Sequence, residues 1–227
     1  RDATIVKLDS NANIIWSQTA VGSSNDYPYG IAVDDSGNVY VAGDFEGDSL
    51  TFENNFILTK KYNTGGSAIF IFKYDPDGNL VWAKTFGSQR HDVALDIAVT
   101  PDGYIAVTGY FRSDTLRFDN YYVTNKSSNS IYSGPLSKFE DYFLAKLDRN
   151  GNALWIKGLT EAFHIEKGQS VAFDNQGNIL VFGTFTSKQI KLEGASNYFY
   201  NAANSYGWED VFIAKYDPNG NLLWGKS

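Results

Sequence analysis

Carboxylates recur in this chain at matched points. Asp26, Asp92 and Glu166 precede one set of β-rich runs, and Asp2, Asp141 and Asp210 precede another. Acidic groups ringed about an axis could hold a hard cation such as calcium. Repetition favours a plainer use, in which each acid caps a backbone turn or pairs with a neighbouring strand. Asp26, Asp92 and Glu166 are therefore weak metal candidates only, and no metal is expected. His91 and His164 stand just before two of these acids, where His–carboxylate pairs could bind metal or shuttle a proton. They belong to different repeats, so they meet only if both point to a common axis. The run Asp75-Pro76-Asp77-Gly78-Asn79 has the start of a calcium loop but lacks the spaced third acid and the closing Glu. No nucleophile elbow, H-E-x-x-H or phosphate-binding loop occurs. No catalytic residue and no cofactor is expected.

A second kind of chemistry is available from aromatic rings. Tyr62, Tyr121, Tyr122, Tyr132, Tyr198, Tyr200, Tyr206 and Trp208 fall in three long segments, 46–67, 112–140 and 186–209, that are rich in Asn and Ser. Flat amphipathic rings beside amides suit recognition of a protein or glycan, because they supply contact area at little cost in side-chain entropy. The competing expectation is that these rings pack their own loops.

What must position these groups is a repeat of about seventy residues. KLDSNANIIW, KYDPDGNLVW, KLDRNGNALW and KYDPNGNLLW place Trp16, Trp82, Trp155 and Trp224 at intervals of 66, 73 and 69 residues. A second motif alternates with the first: IAVDDSGNVYVAGDF from 31, IAVTPDGYIAVTGYF from 97 and VAFDNQGNILVFGTF from 171. Each is two β-rich runs around a short turn. The leading Asp can bond backbone two residues on, while Gly37, Gly78, Gly103, Gly151, Gly177 and Gly220 take the left-handed position. Ala12 replaces this Gly in the first copy, where Asn11 or Asn13 is expected to carry the left-handed conformation. A three-residue loop predicts Phe72 opposite Trp82, Ala145 opposite Trp155 and Ala214 opposite Trp224. The Trp residues are expected to fill the space between units, each contributing a few kcal/mol on burial. Lys7, Lys73, Lys146 and Lys215 recur before the turns and are expected to pack their stems and keep the ammonium at the rim.

Seven hairpins with no amphipathic helix between them predict an all-β protein, and two hairpins per period predict four-stranded antiparallel propeller blades. Residues 19–84, 85–157 and 158–227 read as three blades, and 1–18 as the outer hairpin of a preceding one. Three and a half blades cannot close a ring, and the chain begins at Arg1, so the expectation is a piece of a larger propeller. Strand order then puts the short turns on one face and the connectors with the long segments on the other.

DYPYGIAVDDSGNVYVAGDF and DVFIAKYDPNGNLLWGKS closely resemble the bacterial SBBP-type β-propeller repeat. That resemblance implies a secreted or cell-surface bacterial protein, often adhesin-like, with no enzymatic activity. Composition agrees with its exclusions. A net charge of −7 disfavours nucleic acid and anionic lipid, no apolar run is long enough to span a bilayer, and zero Cys rules out disulfides and thiolate chemistry. The expected function is non-catalytic binding or scaffolding, with a surface protein or glycan and the remaining blades of the same polypeptide as partners. A carbohydrate-active enzyme with axial carboxylates and a structural spacer in a surface fibre are the alternatives.

Overall fold

A computed structural model describes residues 1–61, 65–127, 139–203 and 208–227. Its elements are strands joined by turns. Runs such as AIFIFKY, rich in β-branched and aromatic residues, form strands buried on both faces. Three sheets are four-stranded antiparallel meanders in chain order. The first comprises β3 (Asp26–Val33), β4 (Val39–Phe45), β7 (Ala68–Tyr74) and β8 (Leu80–Phe86). The second comprises β9 (Asp92–Val99), β10 (Ile105–Phe111), β13 (Asp141–Leu147) and β14 (Ala153–Lys157). The third comprises β16 (Glu166–Phe173), β17 (Ile179–Phe185), β20 (Asp210–Tyr216) and β21 (Leu222–Lys226). An N-terminal hairpin, β1 (Ala3–Leu8) and β2 (Ile14–Gly22), pairs instead with β5 (Ser49–Thr51), itself paired with β6 (Ile57–Thr59).

All seven turns close in the same way. In the first-type turn of β7–β8, the Asp75 N–H donates to the Asn79 carbonyl and the Gly78 N–H to the Asp75 carbonyl. The Asp75 carboxylate accepts from the N–H groups of Asp77 and Asn79 at 3.0 and 2.8 Å, and from the Asn79 side chain at 2.8 Å. Six turns share this carboxylate cap, and in the seventh the Thr100 hydroxyl accepts from the Tyr104 N–H. Gly37, Gly78, Gly103, Gly151, Gly177 and Gly220 all have φ between 73° and 89°. At the first turn the expectation fails: Ala12 itself sits at φ 64°, and neither Asn11 nor Asn13 is left-handed. Asp9 holds Asn11 and Asn13 as the other caps do, so the turn geometry is kept and the Cβ strain falls on Ala12.

The pairing across the Trp hairpins is one residue away from the expected register. Trp82, Trp155 and Trp224 lie opposite Lys73, Lys146 and Lys215, because a bulge follows the turn on the Trp strand. The turn alone sets the first pair, Tyr74 with Leu80, and the bulge then absorbs Val81. As a result Lys and Trp share a face and reach the same neighbour.

Sheets stack through their faces. The Ala106, Tyr142, Leu144 and Trp155 face of the second sheet packs on Val171, Val181, Phe212, Ala214 and Tyr216 of the third. An equivalent layer joins the first sheet to the second around Ile69, Ile71, Val107 and Phe143. Trp16 and Ile5 of the first hairpin pack on Phe70, Phe72 and Tyr74. Three of the four Trp residues supply this layer as expected, with Trp16 and Trp155 buried and Trp82 half-buried, whereas Trp224 is 41 % exposed and packs in no layer between sheets.

The long segments depart from the expected layout. They leave from the end opposite the short turns, but then fold as small hairpins along the outer strands. β5–β6 pairs with β2, with Leu50, Phe52 and Leu58 buried. β11 (Thr115–Phe118) and β12 (Tyr121–Thr124) form the second, with Phe118 stacked on Phe86 at 4.2 Å. β18 (Gln189–Leu192) and β19 (Phe199–Tyr200) form the third, and β18 pairs with the connector strand β15 (Leu159–Glu161). Their tips reach the short-turn end, where the Asp119 carboxylate accepts from the Ala153 N–H at 2.7 Å. Each hairpin therefore wedges between the outer strands of successive sheets.

Candidate functional site

Eight aromatic residues were expected on one face, and the structure divides those it describes between two ends. Tyr121 and Tyr122 sit at the tip of the β11–β12 hairpin, 44 % and 57 % exposed, with the Arg117 guanidinium 5.0 Å from the Tyr122 ring. Tyr198, Tyr200 and Trp208 belong to the β18–β19 region. Tyr62, Tyr132 and Tyr206 lie outside the described residues. Phe56 and Ile57 on the β5–β6 hairpin are also exposed, and sequence reasoning missed them because it sought Tyr and Trp.

The group around Trp208 is the best-supported of these surfaces. Tyr200 is 61 % exposed and Trp208 70 % exposed. Their backbone is fixed from beneath: the Asn201 side chain, buried, donates to the Trp208 carbonyl at 2.7 Å, and Asp210 accepts from the Ala202 N–H at 2.8 Å. The Tyr198 ring lies 6.2 Å from that of Tyr200, its hydroxyl donates to Glu161 at 2.7 Å, and Lys191 lies 5.3 Å from its face. Two large rings thus project from a hydrogen-bonded strap. Such rigid aromatics lose little freedom on contact, which is what recognition surfaces require.

Asp26, Asp92 and Glu166 do not form a common cluster, although Glu166 lies against Asp141 and Asp26 near Asp2. Asp92 is buried, and it accepts from the Ser113 hydroxyl at 2.7 Å and the Ser88 N–H at 2.8 Å. Burial nonetheless pushes it up to about 6. Glu166 accepts from the Ser187 hydroxyl at 2.5 Å and shares a hydrogen bond with Asp141 across the second and third sheets. Burial raises both of that pair, and the Asp141 charge raises Glu166 further. Asp26 is raised to about 6 by burial and by the charge of Asp2. Gly47 stands where the other sheets place Ser113 and Ser187, so Asp26 has no such hydroxyl. Among the described residues no three metal-ligating side chains cluster. Asp92 and Glu166 are held by neighbouring backbone and hydroxyl groups, whereas both Asp26 oxygens are buried without a hydrogen-bond partner among the described residues.

The histidines are likewise separate. The His91 Nδ1 lies 3.3 Å from the Ser67 N–H, and the His164 Nδ1 lies 2.7 Å from the Thr186 hydroxyl, with its ring stacked on Phe139 at 4.2 Å. Burial lowers the pKa of both. The recurring lysines do more than expected: Lys7 and Lys146 donate to the carbonyls of Pro76 and Pro218, on the turn of the following sheet, at 2.7 and 2.9 Å.

Residues 15–44, from within β2 through β4, match the family model described as SBBP, a beta-propeller repeat. This stretch is similar to the SBBP-type β-propeller repeat. An uncharacterized WD repeat-containing protein of Acanthamoeba polyphaga mimivirus is 27 % identical over 97 % of the chain. The regulatory protein FlaEY of Caulobacter vibrioides is 25 % identical over 91 % of it. The chain spans only 19 % and 20 % of the length of these two relatives. A solved structure of a Bacteroides caccae protein of unknown function aligns over 99 % of the chain and 93 % of its own, with a TM-score of 0.31 and 9 % identity. The SBBP-type repeat thus contains Trp16, the Asp34 turn and the Gly43 strand, features that recur in the later sheets.

Proposed function

We propose that the three four-stranded sheets are successive propeller blades, spanning 19–84, 85–157 and 158–227, with residues 1–18 as the outer hairpin of another. In this reading the chain is a non-catalytic binding and scaffold module of a secreted or surface-displayed bacterial protein. Its partner is a protein, met by Tyr200 and Trp208 with Tyr198 beside them. The observation that carries this is the pair of exposed rings on a strap pinned by Asn201 and Asp210. Similarity to a WD repeat-containing relative is in keeping with a protein partner in general terms.

A non-catalytic role is favoured by how the acids are used. A surface cleft of about 410 Å³ between Gln18, Phe52 and the 75–79 turn has one carboxylate in its lining, Glu53. Hydrolysis of a glycosidic bond calls for two. A glycan partner is the second reading, because the Tyr198 hydroxyl and the Glu161 carboxylate lie beside the rings.

Photo-crosslinking from position 208 in the source cells should capture a protein partner. Replacing Tyr200 and Trp208 together by Ala should weaken that partner's binding at least tenfold and leave the melting temperature unchanged. Capture of glycan alone would move the reading to carbohydrate. Undiminished binding would place the site elsewhere.

A further inference from the structure

Two residues past each recurring Trp stand Gln18, Lys84, Lys157 and Lys226. The Lys84 ammonium donates to the Asn152 side-chain oxygen, on the turn of the second sheet, at 2.6 Å. The Lys157 ammonium pairs with the Glu193 carboxylate, on the β18–β19 hairpin, at 2.9 Å. Its stem crosses the turn of the third sheet, with Cε 3.1 Å from a Cβ placed on Gly220. One ammonium thus ends on the following turn, and the other on the wedge hairpin beside that turn.

Between the first hairpin and the first sheet, both acceptors are present and the ammonium is not. Gln18 stands in place of the lysine, and its short amide donates to the Gly78 carbonyl at 2.8 Å. Asn79 is the counterpart of Asn152. It donates to Asp75 as Asn152 does to Asp148, at 2.8 Å in both, so the two side-chain oxygens are oriented alike. Glu53 is the counterpart of Glu193, at the end of the matching runs SLTFE and QIKLE. Asn79 and Glu53 line the cleft of about 410 Å³ together with Gln18, Phe52, Tyr74 and Leu80, and no lysine or arginine is among the described residues lining it. Sites for small ligands start at about 300 Å³, so this cleft has the room to hold one.

We propose that this cleft binds a lysine side chain of a protein partner, whose ammonium takes the place that Gln18 leaves empty. The Glu53 carboxylate and the Asn79 oxygen accept from the ammonium, while Phe52, Tyr74 and Leu80 line the path of the stem. One carboxylate matches one charge. A polyamine would leave its further ammonium groups over apolar side chains without partners, which is costly. An exposed ion pair contributes little by itself, so the affinity for a single lysine is modest and depends on stem and head together. The site shares no residue with the Trp208 strap, and rests neither on that proposal nor on the sheets being consecutive blades.

The probes are N-acetyl-lysine methylamide and its uncharged Nε-acetyl derivative, titrated into the full chain and followed by the Asn79 side-chain amide resonances. The charged probe should bind saturably in the millimolar range, and the uncharged one about fivefold more weakly. Glu53→Gln should weaken the charged probe by about the same factor and leave the melting temperature unchanged. Gln18→Lys supplies an internal ammonium, as Lys84 and Lys157 do, and should abolish binding while the fold is kept. Equal binding of the two probes, or no saturation by the charged one, would overturn the proposal. Binding that survives Gln18→Lys would overturn it too, because the probe would then sit elsewhere. Spermidine binding more tightly than the lysine probe, and losing that binding in Gln18→Lys, would overturn the assignment to a lysine side chain.

Discussion

Trp155 and Trp224 hold the same place in two successive sheets, opposite Lys146 and Lys215, yet one is 8 % exposed and the other 41 %. Their own sheets do not cause this difference. Trp155 finds a glycine turn, a carbonyl acceptor and the apolar face of the third sheet, while Trp224 finds none of these among the described residues. The acids behave in the same way. Asp141 meets Glu166 of the following sheet, and burial raises the pKa of both. Asp210, its counterpart one sheet later, turns to the N–H groups of Ala202, in the turn after β19, and of Val211 in its own strand. In a repeat of this type a residue's energetic role is fixed by its neighbour, so equal sequence does not mean equal contribution.

The largest expected effect follows from removing a seated ring. Trp155→Ala takes away the indole packed on Gly220 and Tyr216, and should cost about 3–5 kcal/mol. At this chain length that lowers the melting temperature by about 10 °C. Denaturant unfolding would check it. A loss below about 1 kcal/mol would mean that the contact between sheets is not where the stability lies.

A second effect separates the buried acids at strand starts from those confined to a turn. Asp92 and Asp26 have pKa values raised to about 6, and Asp141 and Glu166 are raised as well. Their contribution is complete below the unfolded carboxylate value and is lost as pH rises through 6 and beyond, because the folded state then holds protons the unfolded state has released. The turn carboxylates Asp9, Asp75, Asp148 and Asp217 are lowered, chiefly by hydrogen bonds with the Asn that closes each turn at Asp9, Asp75 and Asp217. At Asp148 the same bonds outweigh a larger opposing effect of burial. They contribute above about pH 4, and that contribution disappears on acidification. The melting temperature should therefore be highest near pH 5 and fall toward pH 8. Glu166→Gln should flatten the fall on the alkaline side and leave the acid side unchanged. An unchanged alkaline limb would exclude the Asp141–Glu166 contact as its source.

What could be read from the sequence follows the same division between local and neighbour-dependent structure. The turns were legible because Asp75, Gly78 and Asn79 act within five residues, and their caps are found as expected. The strand order followed from the alternation of two hairpin types. The register across Lys73 and Trp82 was not legible, since a bulge has no residue signature in the turn that precedes it. Nor was the course of the long segments. Leu50, Phe118 and Leu192 are spaced as ordinary strand residues, and only the gap between outer strands shows that they fill a wedge. The division of the aromatics between tip and strap is a consequence of that wedge.

A smaller effect sharpens the comparison at the turns. Ala12→Gly relieves a left-handed methyl-bearing residue, worth about 1–2 kcal/mol. Glycine also loosens the unfolded chain, which returns about 0.4–1 kcal/mol. The net should be a stabilisation of about 0.5–1 kcal/mol, seen as an increase in denaturant midpoint with unchanged slope. Destabilisation would show that the Asp9 cap, rather than the conformation of residue 12, limits this turn.

The smallest effect is expected where the sequence most resembles the first case. Trp224→Ala removes the same side chain from the same register as Trp155→Ala. Its indole rests on no following turn, so what is lost is its contact with its own sheet, beside the Lys215 stem. Within the chain of 227 residues the cost should stay under about 0.5 kcal/mol, the range of surface substitutions. A cost near that of Trp155→Ala would mean that the Trp acts within its own sheet, and that burial by the neighbour is incidental. The ratio of the two losses thus measures how much of a repeat's stability belongs to the repeat itself and how much to the contact it makes with the next.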